Sequence, residues 1–298
     1  MRPPSLIDQP SLEMTVKDVP VLAAAGQLIE PGTEVSITFL PGEEREARIG
    51  AAAAVRSAGL IPVPHIAGRR IPSLEELDTF LAGLTASAGV DRVFVVAGDS
   101  VSKPEGPFDD ALALIRSGRL AHHGIRRVGI TGYPEGHPSI SETQLWQALR
   151  QKHDTLTTLG HSCEIVSQFS FDADAILRWL TRVREERIAS PVKIGIPGPA
   201  SVKSLLRFAA RCGVGASTRV LTKYGLSLSK LLSSAGPEPL IEELEASLDA
   251  AKHGAARIHL YAFGGLERTA RWAREFSSAR KPPLSPLPRT GSCRVSGS

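Results

Sequence analysis

Residues 128–137 read Val128-Gly129-Ile130-Thr131-Gly132-Tyr133-Pro134-Glu135-Gly136-His137. A short run suited to a strand ends abruptly in a polar cluster, and Ser141-Glu142 then opens a long polar–apolar pattern of helical period. The same order recurs on either side. Upstream, Ser11-Leu12-Glu13-Met14-Thr15 carries Glu13, Val35-Ser36-Ile37-Thr38 ends in Thr38, and Ile61-Pro62-Val63-Pro64-His65 ends in His65. Val93-Phe94-Val95-Val96 runs into Ala97-Gly98-Asp99, and downstream Glu164-Ile165-Val166-Ser167 delivers Gln168. Polar residues gathered at the same end of successive strands mark the mouth of a (β/α)8 TIM barrel, where active sites of that fold lie.

The rest of the chain keeps this alternation. Extended runs fall near 11–15, 34–39, 60–66, 92–97, 126–131, 163–168, 192–196 and 257–263. Helical patterns fall near 17–29, 43–58, 73–87, 107–119, 141–158, 173–187, 200–211 and 238–253, with a closing helix at 266–276. Ser73 with Glu76 has the form of a capping box, and Asp172 stands ready to cap the helix after Phe171. Gly59, Gly89, Gly124 and Gly160 lie where helices hand over to strands. Strands alternating with helices imply parallel pairing and right-handed crossovers, hence an α/β fold. The expected organisation is an N-terminal extension at 1–10, a single barrel domain at 11–276 and a disordered tail at 277–298. An insertion at 213–237, with a helix at 217–233, follows the seventh unit.

Composition narrows the class. The chain has 298 residues, 42% of them hydrophobic, and a formal charge of +4. Much of that excess sits in the tail (Arg280, Lys281, Arg289, Arg294), so no nucleic-acid partner is inferred. Cys163, Cys212 and Cys293 are odd in number and widely spaced, which gives no zinc or disulfide framework. No metal is expected. No apolar stretch approaches the ~20 residues that span a bilayer, and no signal sequence is visible, so a cytoplasmic protein is expected. Parallel barrels often associate, which makes a homo-oligomer a reasonable expectation, although no apolar stripe marks an interface.

Two motifs carry a resemblance. Gly132-Tyr133-Pro134-Glu135-Gly136-His137-Pro138 follows the fifth strand, and Ser167-Gln168-Phe169-Ser170-Phe171-Asp172 follows the sixth. With Pro64-His65, Val96-Ala97-Gly98-Asp99, Gly195-Ile196-Pro197-Gly198-Pro199 and His259-Leu260-Tyr261, they make residues 11–276 resemble the methylenetetrahydrofolate reductases. The resemblance implies reduction of 5,10-methylenetetrahydrofolate to 5-methyltetrahydrofolate, with hydride passing from NAD(P)H to FAD and then to the folate. It makes Glu13 the general acid that opens the folate's imidazolidine ring, with a pKa raised by a dry pocket. It makes Asp99 the charged partner of the developing cation, Gln168 the pterin anchor and Phe208 the ring that stacks on the substrate. For flavin it assigns Thr38, His65, Gly98, Asp99, Gly132, Tyr133, His137 and Lys152.

The chain departs from the family pattern at Ala97 and Gly265, where arginines are common, and Lys152 aligns only across a gap. These departures favour an alternative in which hydride passes directly from NAD(P)H to folate without flavin. A folate- or flavin-binding subunit without catalysis is a third reading, and the presence of both Glu13 and Asp99 speaks against it. Taken singly, each residue also has a bland reading. Glu13 could be a solvated strand-end carboxylate, His65 a core histidine, Gln168 a backbone partner, and Phe208 a core position beside Leu205, Leu206 and Ala209.

Overall fold

The computed structural model describes residues 6–98, 104–212 and 234–280. Eight parallel strands form a closed barrel: β1 (Ser11–Met14), β2 (Glu34–Ile37), β3 (Ile61–Ala67), β4 (Arg92–Val96), β5 (Arg127–Gly132), β6 (Ser162–Ser167), β7 (Val192–Pro197) and β8 (Ala256–Tyr261). Each strand pairs with its neighbour in sequence, and β8 returns to β1 with Ser11 opposite His259 and Leu12 opposite Leu260. The helices are α1 (Val19–Gly26), α2 (Arg45–Ser57), α3 (Leu74–Ala88), α4 (Ala111–Arg116), α5 (Arg119–His122), α6 (Glu142–Thr158), α7 (Ala173–Glu185), α8 (Val202–Cys212), α9 (Glu238–Ser247), α10 (Ala250–His253) and α11 (Leu266–Arg280). This is the single-domain (β/α)8 barrel expected from the alternation.

Alternation along the strands separates two interiors. Leu12, Met14, Val35, Ile37, Val93, Val95, Val128, Ile130, Ile194, Ile196, Ile258 and Leu260 turn outward and join one large core with the helices. The inward set is different in character. Its apolar part is a thin layer of Val63, Phe94 and Val166, with Val96 against it. Below that layer lies a charged floor. Lys193 Nζ is 2.5 Å from Glu34 Oε2 and 2.6 Å from Glu164 Oε1, Arg92 Nη1 is 2.5 Å from Glu34 Oε1, and Arg257 Nη2 is 2.9 Å from Glu34 Oε2. Burial pushes the Glu34 carboxyl up, but the Lys193, Arg257 and Arg92 charges outweigh it and hold the pKa at about 2. Above the apolar layer, the inward positions form the mouth.

Local chemistry sets the helix starts. Ser141 and Gln144 make a reciprocal capping box on α6, Asp172 accepts from Ala175 N at the start of α7, and Ser73 accepts from Glu76 N on α3. The Ser73 cap lacks the reciprocal arm. In α7 the buried Ala173, Ile176, Leu180 and Val183 recur every three or four residues, so one stripe faces the sheet. Gly59, Gly89, Gly124 and Gly160 all carry positive φ, as expected of glycines that end helices.

Several boundaries differ from expectation. The single helix at 107–119 is two, because Gly118 takes a left-handed conformation (φ 73°) between α4 and α5. The helix at 238–253 breaks where Leu248 turns extended and Asp249 recaps the chain as α10 by accepting from Ala251 N. The first helix opens as a 3-10 turn, Val16–Asp18, and stops at Gly26, whereas the closing helix runs on to Arg280. The N-terminal stretch is anchored at its end: Leu6 N donates to Glu245 Oε1, Ile258 N donates to the Leu6 carbonyl, and Ile7 is buried. The expected helix at 217–233 lies outside the described residues. Beside that segment, Ser234–Ala235 pairs antiparallel with Ala200–Ser201. Among the described residues, no helix is long and apolar enough to cross a membrane.

Candidate active site

Register brings Glu13, His65 and His259 together in the upper layer of the barrel. Glu13 sits on β1, beside β8 on one flank and β2 on the other. Its Oε2 is 3.7 Å from His259 Nε2 and 3.9 Å from His65 Nε2. The Glu13 side chain is only 17% exposed, so it is no solvated strand-end carboxylate. Behind the histidines stand two supports. Ser11 Oγ is 2.8 Å from His259 Nδ1. Arg48, buried between the rings of Phe39 and Phe80, donates to the His65 backbone carbonyl.

The electrostatics correct one expectation. Burial pushes the Glu13 carboxyl up, but the His259 and His65 imidazoles beside it outweigh that effect, and its pKa lies below the ordinary value. A dry pocket alone would raise it. The difference is the imidazole pair, which a linear sequence does not place beside Glu13. Burial pulls His65 down to about 4, so at neutral pH this ring is uncharged and meets Glu13 as a neutral imidazole. Thr38 leans on Glu13 and helps lower its pKa, yet without full hydrogen-bond geometry. Its buried Oγ1 has no partner among the described residues.

The two sequence motifs meet across β5 and β6. Gln168 N donates to the Gly132 carbonyl at 2.7 Å, and Ser170 Oγ donates to Glu135 Oε1 at 2.6 Å. The half-buried Gln168 side chain turns its Oε1 to Phe169 N at 3.1 Å, which leaves the amide NH2 as its remaining donor. His137 packs edge-on against Tyr133 at 5.5 Å and accepts from Ser139 N at 3.2 Å. Lys152 is buried on α6. Its Nζ lies 3.3 Å from Thr131 Oγ1, and burial lowers its pKa to about 8. Asp99 lies outside the described residues. Gly98, just before it, has φ 91°.

Two of the expected site residues also carry packing constraints. Gly132 was assigned to close approach of a cofactor, but a Cβ there would come within 2.4 Å of the Trp179 ring. Its bare backbone therefore also makes room for the Trp179 ring of α7. Phe208 stacks on Phe263 with centroids 4.1 Å apart and an interplanar angle of 11°. One of its faces is thus already covered.

Sequence reading did not single out the aromatic wall to which Phe208 belongs. Phe263 stacks in turn on Tyr261, and Phe169 meets Tyr261 and Phe263 edge-on. Tyr261 donates to the Ser167 carbonyl at 3.0 Å, and burial with the nearby Glu13 charge raises its pKa well above the usual value. Gly195 makes room for this ring, since a Cβ there would lie 2.8 Å from it. Tyr261 thus links Glu13 to the end of β6, where Gln168 follows. The only signal in the sequence was the His259-Leu260-Tyr261 run, whose alternate residues had to point inward.

A cavity of about 730 Å3 opens beside this mouth, lined by residues 131–137 and by Trp146, Arg178, Trp179 and Arg182. Glu13, His65 and His259 are not part of its wall. Of the residues assigned to flavin, Gly132, Tyr133 and His137 line this cavity and Thr38, His65, Gly98 and Lys152 do not. The Thr38 hydroxyl, buried without a partner among the described residues, is a polar group that a bound flavin could satisfy.

Comparison with known proteins agrees with the motifs. The family model described as methylenetetrahydrofolate reductase matches residues 17–270. Proteins described as methylenetetrahydrofolate reductase (NADH) 1 from Arabidopsis thaliana and Zea mays are 26% and 25% identical over 159 residues. That stretch is 50% of this chain and 26% of each plant protein, so the chain spans about a quarter of their length. A solved Clostridium thermocellum protein, described as binding two copies of 5-methyl-5,6,7,8-tetrahydrofolic acid, shares the fold with a TM-score of 0.60 at 12% identity, covering 92% of this chain and 98% of that one. With a family match that runs through nearly the whole barrel, the chain belongs to the methylenetetrahydrofolate reductase family.

Proposed function

We propose that the protein interconverts 5,10-methylenetetrahydrofolate and 5-methyltetrahydrofolate, with NAD(P)H as the hydride source. The observation that carries this reading is a largely buried carboxyl, Glu13, flanked by two imidazoles at the mouth of the barrel. Hydride can reach the one-carbon unit only after the imidazolidine ring opens to an iminium ion. Opening requires a proton on the departing ring nitrogen, and Glu13 is the group to deliver it. A folate ring seated on the mouth would cover the exposed part of Glu13 and add to its desolvation, which favours the protonated acid. Asp99, while ionised, balances the iminium charge. Gln168 offers its amide NH2 to the pterin edge, and Phe208 closes the aromatic wall against the substrate ring. A folate-binding protein of the same fold supports this substrate class.

FAD, when bound, supplies a carrier that takes hydride from the nicotinamide and hands it to the folate. Thr38, His65, Gly98, Asp99, Tyr133 and His137 would hold it, and Lys152 would add positive charge behind Thr131. A shared binding face for nicotinamide and folate implies ping-pong kinetics. A second reading keeps the reaction and drops the flavin. It is favoured by Ala97, by the Lys152 ammonium turned to Thr131, and by a Gly132 whose missing side chain is accounted for by Trp179.

The test is methylenetetrahydrofolate-dependent oxidation of NADH and NADPH, run with and without added FAD. Turnover with flavin absorbance near ~450 nm supports the flavin route. Turnover by colourless protein, unchanged by FAD, supports direct transfer. Folate binding without turnover under every condition overturns the enzyme reading.

A further inference from the structure

His259 is buried to 1% exposure in the upper layer of the barrel, and its two ring nitrogens face different partners. Nδ1 faces Ser11 Oγ at 2.8 Å, and Nε2 faces Glu13 Oε2 at 3.7 Å. Ser11 and Glu13 are two residues apart on β1, so their side chains point to the same side, and register sets His259 opposite Ser11. His65 approaches the same carboxyl oxygen, Oε2, from β3. Both imidazoles therefore come closest to the same oxygen of Glu13, Oε2. The other groups that face Glu13 are the Thr38 hydroxyl after β2 and the Tyr261 hydroxyl on β8, with Arg48 acting from behind His65.

We propose that Ser11 and His259 are a positioning pair for Glu13: the Ser11 hydroxyl donates to His259 Nδ1, fixes the ring as the Nε2–H tautomer, and so dedicates Oε2 to accepting that N–H while the transferable proton resides on Oε1. The inference rests on the reading of Glu13 as proton donor. A neutral imidazole has one N–H and one lone pair, and the partner of one nitrogen decides the state of the other. With Nε2–H directed at Oε2, the carboxyl cannot place its own proton there without facing another hydrogen. The acid proton then points toward the substrate. As Oε1–H transfers to the departing folate nitrogen, the charge left on the carboxylate is met by the N–H already aimed at it. No proton leaves His259 in this step. Ser11 and His259 touch no substrate and act only through Glu13.

The test has two readouts on the full-length protein. The first is the pH profile of folate-dependent turnover in Ser11→Ala, His259→Gln and His259→Leu. Removing the donor to the carboxylate, as in His259→Leu, or freeing its ring to take the other tautomer, as in Ser11→Ala, raises the Glu13 pKa, so the alkaline limb moves upward in both, by roughly one pH unit. Plateau kcat falls about tenfold, and His259→Gln, which keeps an N–H donor, recovers part of the shift. The second readout is 15N NMR of histidine-labelled protein, with the His259 signals identified by their loss in His259→Gln. Wild type shows Nδ1 unprotonated and Nε2 protonated at neutral pH, and Ser11→Ala loses that fixed tautomer. An Nδ1–H tautomer in wild type overturns the pair. So does a pH limb that stays in place in Ser11→Ala while Glu13→Gln is inactive. Full folate turnover in Glu13→Gln would instead overturn the general-acid reading, leaving the tautomer measurement to stand by itself.

Discussion

At the scale of single residues, the mouth is governed by what each polar atom lacks. The Thr38 hydroxyl is buried with no hydrogen-bond partner among the described residues, a state that costs about 1–3 kcal/mol and calls for a ligand. Thr38→Val should therefore leave the melting temperature unchanged or slightly higher while weakening FAD binding about tenfold, as read by flavin titration. A variant that unfolds early and binds FAD normally would make Thr38 a structural residue. Glu13, Thr38, His65 and Gln168 could be singled out in the sequence because each lies at or near the end of a strand-like run. The state of Glu13 was not. Its pKa is set by His259 and His65, which lie 246 and 52 positions away in the chain and meet it only through the closure of β8 onto β1 and the pairing of β1, β2 and β3. Phe208 was legible as an aromatic, but its stacking partner Phe263 belongs to a loop after a different strand.

At the scale of elements, strand identity was the clearest signal and helix continuity the weakest. Eight extended runs correspond to eight barrel strands because an inward polar or small residue alternates with an outward aliphatic one. Helices failed where a single residue changes backbone conformation, as at Gly118 and at Leu248-Asp249, since the apolar period continues across such a break. Gly132 belongs to this scale. Its place at the end of β5 in a family motif suggested a cofactor contact, and α7 adds a constraint of its own, since Trp179 occupies the space of a side chain. Gly132→Ala should cost about 1–3 kcal/mol through the forced shift of that ring, measured by thermal or denaturant unfolding. Unchanged stability together with lost flavin binding would return Gly132 to the cofactor.

At the scale of the whole molecule, the barrel separates stability from chemistry along its axis. The charged floor of Lys193, Glu34, Glu164, Arg92 and Arg257 closes one end, a thin apolar layer fills the middle, and the Glu13 cluster occupies the other. Because Glu34 titrates lower in the folded protein than in the unfolded chain, its stabilisation is complete above about pH 4.5 and is lost as pH falls toward about 2. Glu34→Gln should destabilise the protein by about 3–5 kcal/mol near neutrality, because it weakens the pairing of the buried Lys193. It should also flatten the fall in stability across that acid window. An unfolding series from pH 5 to pH 2 with the same slope as wild type would remove Glu34 from the account of acid stability. The floor could not be read from the sequence, since its members come from five different strands whose register appears only on closure.

The claim that joins these scales is that Glu13 delivers the proton that opens the folate ring. The direct measurement is Glu13→Gln assayed for methylenetetrahydrofolate-dependent NAD(P)H oxidation and, separately, for NAD(P)H oxidation by an artificial electron acceptor. A proton donor at this position predicts at least a hundredfold loss of the folate reaction with the acceptor reaction retained. Equal loss of both reactions, or a folate rate close to that of wild type, would contradict it.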